Sequence, residues 1–189
     1  MSVVAMTKAP GVVRVCLYGP TASGKSTIAR HLAKTYGGEI IKVAEPLYRL
    51  QKLFYDELEL PVNGQDGELL QFFADKIERE QPGWLGRRVT DRVQASATRL
   101  VINDDCRRNS YAALDTAGFV FVRIDTSPDK RAIRRRADHR AVDPHHRVEA
   151  GFDEFRTDYE ISNDGALDDT FRAAETLIDR LLSSSRERS

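Results

Sequence analysis

The chain has 189 residues, a length that suits one domain with a substantial buried core. Lys and Arg total 29 and so do Asp and Glu, and a formal charge of zero gives no general argument for nucleic acid or a membrane as partner. The two cysteines form neither a disulfide framework nor a zinc pattern, and no apolar run approaches membrane-spanning length, so we expect a reduced, cytoplasmic protein. Residues 1–10 lack a signal-peptide core and are predicted to be a loose leader, and residues 183–189 a flexible tail.

The first chemical landmark lies between a predicted strand at residues 12–18 and a predicted helix at residues 28–36. It fits G-x-x-x-x-G-K-[ST] at every fixed position and reads Gly19-Pro20-Thr21-Ala22-Ser23-Gly24-Lys25-Ser26. Glycines let successive N–H groups point at phosphate oxygens, at the positive end of the helix dipole. The alternative is a glycine-rich turn that binds nothing. We expect nucleoside triphosphate binding by Gly19, Ala22, Ser23, Gly24, Lys25, Ser26 and Thr27, with Lys25 on the β- and γ-phosphates and the Ser26 hydroxyl on Mg²⁺.

A helical region follows a second predicted strand at residues 39–44. The first helix is expected over residues 47–58, with one face formed by Leu47, Leu50, Phe54 and Leu58. Two more helices are expected over residues 68–80 and from Trp84 to about residue 98. Because 47–98 is longer than a simple crossover needs, we interpret it as an insert that encloses an acceptor. It carries the amide of Gln71 and the guanidinium groups of Arg79, Arg87 and Arg88, any of which suits an acceptor phosphate.

The second landmark is an apolar strand at residues 99–105 that ends in Asp104 and Asp105. A strand of this form resembles a Walker B element, which holds Mg²⁺ directly or through water. Successive residues on a strand face opposite ways, so one of the two is expected to serve the metal, with a slight preference for Asp104. The alternative is that either aspartate simply caps the helix predicted at residues 109–117.

The third landmark is a basic segment after the strand at residues 119–124. Its cations are Lys130, Arg131, Arg134, Arg135 and Arg136. Residues 128–150 are interpreted as a mobile lid whose Arg131 and Arg135 clamp a transferring phosphoryl group. A solvated basic face or an RNA-binding patch is the alternative, and the histidines there show no zinc spacing. A fifth strand at residues 159–161 and a helix at residues 167–182 complete an α/β fold: a five-stranded parallel sheet in three layers, as one domain over residues 1–189.

Together these landmarks resemble the P-loop nucleoside and nucleotide kinases, and within them the phage-type deoxynucleoside monophosphate kinases. The phrases that carry the resemblance are Ala44-Glu45-Pro46-Leu47, Leu69-Leu70-Gln71 with Arg79, Pro82 and Trp84, Asp104-Asp105-Cys106-Arg107-Arg108-Asn109-Ser110, His146-Arg147-Val148-Glu149 and Ile161-Ser162-Asn163-Asp164-Gly165. Dephospho-coenzyme A kinases share the loop, the lid and the "I-x-N-x-G" ending, and are the nearest enzymatic alternative.

The resemblance implies transfer of the γ-phosphoryl of ATP, with Mg²⁺, onto a (deoxy)nucleoside monophosphate. The catalytic residues would be Lys25, Arg131, Arg135 and Asp104, the metal residues Ser26, Asp104 and Asp105, and the acceptor residues Glu45, Gln71, Arg79 and Arg107. Alternatives from other classes are a P-loop NTPase switch and a nucleic-acid-associated protein. The sequence leaves open the acceptor's base and sugar, ATP or GTP as donor, and the oligomeric state, for which a homodimer is one option.

Overall fold

The structure is a computed structural model that describes residues 11–137 and 154–186. Its elements, in chain order, are β1 Val13–Tyr18, α1 Lys25–Tyr36, β2 Glu39–Ile40, α2 Glu45–Glu57, α3 Gly67–Glu80, α4 Trp84–Ala95, β3 Leu100–Asn103, α5 Arg108–Thr116, β4 Val120–Asp125, α6 Pro128–Ala137, β5 Tyr159–Ser162 and α7 Leu167–Arg186. The predicted leader, residues 138–150 of the predicted lid and residues 187–189 lie outside this description.

The five strands form one parallel sheet in the order β2-β3-β1-β4-β5, which confirms the predicted fold class. All six residues of β1 are buried, because this strand lies in the middle of the sheet and is covered on both faces. Val15 and Leu17 pack with Ile28 of α1 and Ile178 of α7 in one core cluster. On the opposite face, the core cluster around Cys16 includes residues of α2, α4 and α5.

Since β1 and β3 run parallel and Cys16 pairs with Asn103, both strands end at the same edge of the sheet. The loop after β1 and the two aspartates after β3 are therefore neighbours in space. This edge is where ligands bind in open parallel sheets.

Several details differ from the sequence prediction, and β3 ends at Asn103, so Asp104 and Asp105 follow the strand instead of ending it. Strand β2 ends at Ile40 rather than at residue 44, because the Asp105 carboxylate accepts hydrogen bonds from the N–H groups of Val43 and Ala44, each at 2.9 Å. Helix α2 buries Leu47, but Phe54 is 44% exposed and Leu58 51% exposed. The end of α2 thus extends past the core that its first turn packs against.

Helix α7 continues to Arg186, so residues 183–186 of the predicted tail are helical. Cys16 and Cys106 are both buried free thiols, in agreement with the prediction that they form no disulfide. None of the helices in the described ranges has the length and apolar character needed to cross a membrane.

Candidate active site at the carboxyl edge of the sheet

The loop between β1 and α1 adopts a conformation that only small residues permit at two points. Gly19 has φ 137° and Gly24 has φ 97°. A Cβ at Gly19 would lie 2.5 Å from the carbonyl oxygen of Ile124, and one at Gly24 would overlap Nδ2 of Asn163. Both glycines are therefore required by the backbone and by close neighbours, which explains the fixed glycine positions of the motif.

The start of α1 has the positive charge and the N–H groups that an anion needs. Helix α1 begins at Lys25 and its N-cap residue is Gly24, which has no side chain to satisfy the first N–H groups of the helix. Those groups and the positive end of the helix dipole face the loop. The Lys25 ammonium folds back over this loop and donates to the carbonyl oxygens of Gly19 at 2.8 Å and Pro20 at 2.7 Å. This arrangement of cation and N–H groups fits a polyphosphate.

The loop is held from behind by side chains that follow β4 and β5. Asn163 is 2% exposed, and its Nδ2 donates to the carbonyl oxygen of Ser23 at 2.8 Å. Thr126 Oγ1 donates to the same oxygen at 3.1 Å. Thr170 Oγ1 in turn donates to Oδ1 of Asn163 at 3.1 Å, which fixes the orientation of the amide. Two side chains that follow different strands thus converge on one carbonyl of the phosphate loop, and a third side chain orients one of them.

The arginines of α6 lie near the same loop, and the one that contacts a loop carbonyl is Arg134 instead of the predicted Arg131 or Arg135. Arg134 donates from Nη1 to the carbonyl oxygen of Ala22 at 3.3 Å and from Nη2 to that of Asn163 at 3.1 Å. Arg131 donates from Nε to the carbonyl oxygen of Thr126 at 3.2 Å, and Arg135 is half-buried on the same helix. The two predicted clamp residues therefore lie on the helix that contacts the loop, with Arg134 between them.

The two aspartates after β3 have different partners. The Asp104 side chain is 1% exposed and accepts from Nζ of Lys42 at 2.8 Å on Oδ1 and 3.1 Å on Oδ2. The Asp105 carboxylate accepts from the backbone of Val43 and Ala44, and from Nδ2 of Asn103 at 2.8 Å. Neither caps α5, whose N-cap residue is Arg107, so the capping alternative is wrong.

The protonation equilibria follow these contacts. Burial raises the pKa of Asp105 above its ordinary value, although hydrogen bonds from the N–H groups of Ala44 and Val43 act in the opposite direction. Burial alone would lower the pKa of Lys42, but the hydrogen bond and the charge of Asp104 outweigh it and raise the pKa. Lys42 therefore stays a cation beside Asp104 at neutral pH.

The residues at this edge fit a magnesium ion that is bound together with phosphates. Mg²⁺ prefers one or two carboxylates together with substrate phosphates and water. Ser26 is exposed at the start of α1, and Asp104 lies at the adjoining strand end. The Asp104 carboxylate is bound by the flexible ammonium of Lys42, whereas the Asp105 carboxylate is bound by three fixed donors. In the part of the chain that is described, no group of three or more His, Cys, Asp or Glu side chains forms a protein-only metal site.

The predicted acceptor residues lie on several elements of the insert and beyond it. Glu45, at the start of α2, pairs with Arg92 of α4 and lies 3.5 Å from Arg49. Gln71 donates to Oδ1 of Asp75 on its own helix at 2.8 Å. Arg79 of α3 is exposed, as is Arg107 before α5. Among the described residues, Glu45 forms ion pairs with Arg49 and Arg92. No hydrogen bond or ion pair of the described ranges joins one of the four predicted acceptor residues to another.

Four residues of this edge carried no assigned role in the sequence analysis, namely Lys42, Thr126, Arg134 and Asn163. Arg134 had a usable signal, because it shares a helical face with Arg131 and Arg135. Asn163 stood inside the Ile161–Gly165 phrase, but a phrase does not say which carbonyl an amide will bind. Lys42 and Thr126 had no local signal, since their partners lie elsewhere in the chain.

A parallel sheet with the central strand leading into this loop, a helical insert after β2 and a basic helix after β4 is the fold of the P-loop kinases. Similar solved structures include a gluconokinase from Sinorhizobium meliloti 1021, with 17% identity over 96% of this chain and 99% of that chain and a TM-score of 0.53. A shikimate kinase from Acinetobacter baumannii in complex with shikimate has 15% identity over 92% and 94% of the two chains and a TM-score of 0.50. An APS kinase from Mycobacterium tuberculosis in complex with AMPPNP and APS has 16% identity over 92% and 99% and a TM-score of 0.50.

No protein-family model matches the sequence, and no curated protein matches it. At identities of 15–17% these structures establish the fold and leave the substrate open. The resemblance of the fold to that of P-loop kinases is thus supported, whereas membership of the phage-type deoxynucleoside monophosphate kinases stays a hypothesis.

Proposed function

We propose that this protein is a phosphotransferase that moves the γ-phosphoryl group of ATP onto the phosphate of a nucleoside monophosphate, with deoxynucleoside monophosphates as the first candidates. The observation that carries the proposal is the meeting of a phosphate-binding loop and the buried carboxylate of Asp104 at one edge of the sheet, beside a helical insert. The gluconokinase, shikimate kinase and APS kinase folds support small-molecule phosphoryl transfer in general.

The roles follow from charge and position. Lys25 and the N–H groups at the start of α1 bind the phosphates of the donor. Ser26 and Asp104 would hold Mg²⁺, which neutralises phosphate charge when it is bound. Arg131 and Arg135, with Arg134 on the same helix, would stabilise the transferring group.

The acceptor side needs little acid–base chemistry. A phosphate acceptor is already an anion at neutral pH, so positioning and charge neutralisation account for most of the rate enhancement. Glu45, Gln71, Arg79 and Arg107 remain the proposed acceptor residues. An amide that both donates and accepts, together with several guanidinium groups, suits a nucleotide better than the long arm of dephospho-coenzyme A.

A turnover screen tests this function. ADP formation is measured with ATP and Mg²⁺ alone, and with each deoxynucleoside or ribonucleoside monophosphate or dephospho-coenzyme A added. We expect ADP formation to depend on at least one deoxynucleoside monophosphate and to be slow with dephospho-coenzyme A. Faster turnover of dephospho-coenzyme A would overturn the acceptor class. Acceptor-independent or nucleic-acid-stimulated hydrolysis would instead indicate an NTPase.

A further inference from the structure

A small cavity of about 10 Å³ lies between α2 and α4, at the same edge of the sheet as the phosphate loop. Its charged lining residues are Lys42, Glu45, Arg49, Arg88 and Arg92. The volume admits roughly one water-sized group, so a single phosphoryl oxygen can enter while the rest of an acceptor lies outside.

The cavity has more positive than negative charge. Its single carboxylate, Glu45, is already bound by Arg92 and lies 3.5 Å from Arg49. Arg92 also reaches Glu39 of β2 at 3.0 Å. The guanidinium carbon of Arg88 lies 5.8 Å from the centroid of the Trp84 ring, which is a neutral partner and does not cancel the charge of Arg88. With Asp104 and Glu39 counted beside Glu45, four cations face three carboxylates, so an anion here would meet one net positive charge.

Lys42 belongs to this cavity and to the donor side at once. It lines the cavity, yet its ammonium is bound to Asp104, the carboxylate beside the phosphate loop. The Lys42 side chain is 35% exposed and has four flexible carbons, whereas that of Asp104 is 1% exposed and fixed. Lys42 is therefore the partner that can move.

We propose that the anionic group of the acceptor binds at the mouth of this cavity, with one oxygen inside it and with Arg49 and Arg88 as partners, and that Lys42 leaves Asp104 to contact that group. The inference rests on the proposed function, since it concerns the acceptor of the same reaction. Lys42 then acts as a positioning residue that links acceptor binding to the release of the Asp104 carboxylate. The acceptor site and the metal carboxylate are thereby coupled through one ammonium.

The consequence is a pair of opposite effects. In the free protein Asp104 competes with the acceptor for Lys42. Asp104→Asn removes that competition and should tighten acceptor binding about three- to tenfold, the range expected for one partly exposed charge pair. Lys42→Gln removes the ammonium itself and should weaken acceptor binding by at least about tenfold. A purely structural ion pair would give losses of the same sign in both variants.

Trp84 supplies the assay, because it is the only tryptophan of the chain and it contacts Arg88. Its fluorescence is followed while the full-length protein, without ATP or Mg²⁺, is titrated with each deoxynucleoside monophosphate and separately with inorganic phosphate. Lys52 and Asp56 provide the matched control, since they form an exposed ion pair of 2.6 Å on α2 that does not line the cavity. Lys52→Gln and Asp56→Asn should bind like the wild type.

Three further results bear on the inference. In the Lys42→Gln background, Asp104→Asn should lose most of its effect, because the ammonium for which both compete is absent. Arg49→Gln, a surface change that leaves the core intact, should weaken binding about tenfold even if Asp104→Asn proves unstable. Equal dissociation constants for Arg49→Gln, Lys42→Gln and Lys52→Gln would overturn the inference.

Failure of this inference and failure of the proposed function are distinguishable. Phosphorylation of a nucleoside monophosphate with binding insensitive to Lys42 and Arg49 would overturn the cavity and leave the function intact. Phosphate binding that depends on Lys42 and Arg49, without turnover of any monophosphate, would support the anion cavity and overturn the acceptor class. No fluorescence response to phosphate or to any monophosphate would overturn the cavity.

Discussion

The amide of Asn163 is predicted to set the shape of the phosphate loop, and Asn163→Ala tests this. The change removes the 2.8 Å hydrogen bond to the Ser23 carbonyl and leaves that carbonyl with Thr126 alone at 3.1 Å. It also removes Oδ1, the nearest of the acceptors around the Thr170 hydroxyl. Loss of one buried hydrogen bond costs about 1–2 kcal/mol. For a chain of this length the melting temperature should then fall by roughly 2–8 °C.

Nucleotide binding should report the same change. If the loop loses its fixed geometry, the affinity for a non-hydrolysable ATP analogue should fall about tenfold, since 1.4 kcal/mol corresponds to a factor of ten. The assays are thermal unfolding by circular dichroism and calorimetric titration with the analogue. Asn63→Ala is the control, because Asn63 is exposed in the loop between α2 and α3 and should change stability by less than about 0.5 kcal/mol.

The two readouts separate local from global damage. Thr170→Val should act in the same direction with a smaller effect, because the Thr170 hydroxyl acts on the loop through the amide of Asn163. An Asn163→Ala protein with wild-type melting temperature and wild-type affinity for the analogue would refute the view that this amide holds the loop.

Three other predictions concern the chemistry itself. Lys25→Ala should lower kcat at least about a hundredfold in a steady-state kinase assay, because the charge on the β- and γ-phosphates is lost, and near-wild-type turnover would refute the assignment. Asp104→Asn should raise the Mg²⁺ concentration needed for half-maximal rate, whereas Asp105→Asn should mainly lower the melting temperature, since three fixed donors hold its carboxylate. An unchanged Mg²⁺ dependence in both variants would exclude both aspartates from the metal site. Arg131→Ala and Arg135→Ala should lower kcat more than ATP affinity, and a loss of affinity with unchanged kcat would make them ground-state binding residues.

The sequence predicts the phosphate loop well because its signal is local. Gly19, Gly24, Lys25 and Ser26 are fixed by backbone conformation and by chemistry within eight consecutive residues. Apolar runs such as β1 are equally direct, because a strand buried on both faces needs apolar residues along its length.

The remaining features depend on contacts between distant parts of the chain. The short β2 results from the Asp105 carboxylate, which takes the backbone N–H groups of Val43 and Ala44. The exposed Phe54 shares a helical face with the buried Leu47, and periodicity does not tell how far a core extends along a helix.

The same limit applies to the arginines and aspartates of the site. Helical spacing places Arg131, Arg134 and Arg135 on one face of α6, but only the docking of α6 brings Arg134 to the Ala22 carbonyl. The pairing of Asp104 with Lys42 spans 62 residues, so no local pattern predicts it.

Direct transfer of the phosphoryl group is the measurement closest to the central proposal. The protein is incubated with γ-³²P-labelled ATP, Mg²⁺ and each deoxynucleoside monophosphate, and the products are separated by thin-layer chromatography, with Lys25→Ala as the inactive control. We predict label in a deoxynucleoside diphosphate and none in inorganic phosphate beyond the level of the control. Label that appears only in inorganic phosphate, whichever monophosphate is present, would contradict the proposed kinase.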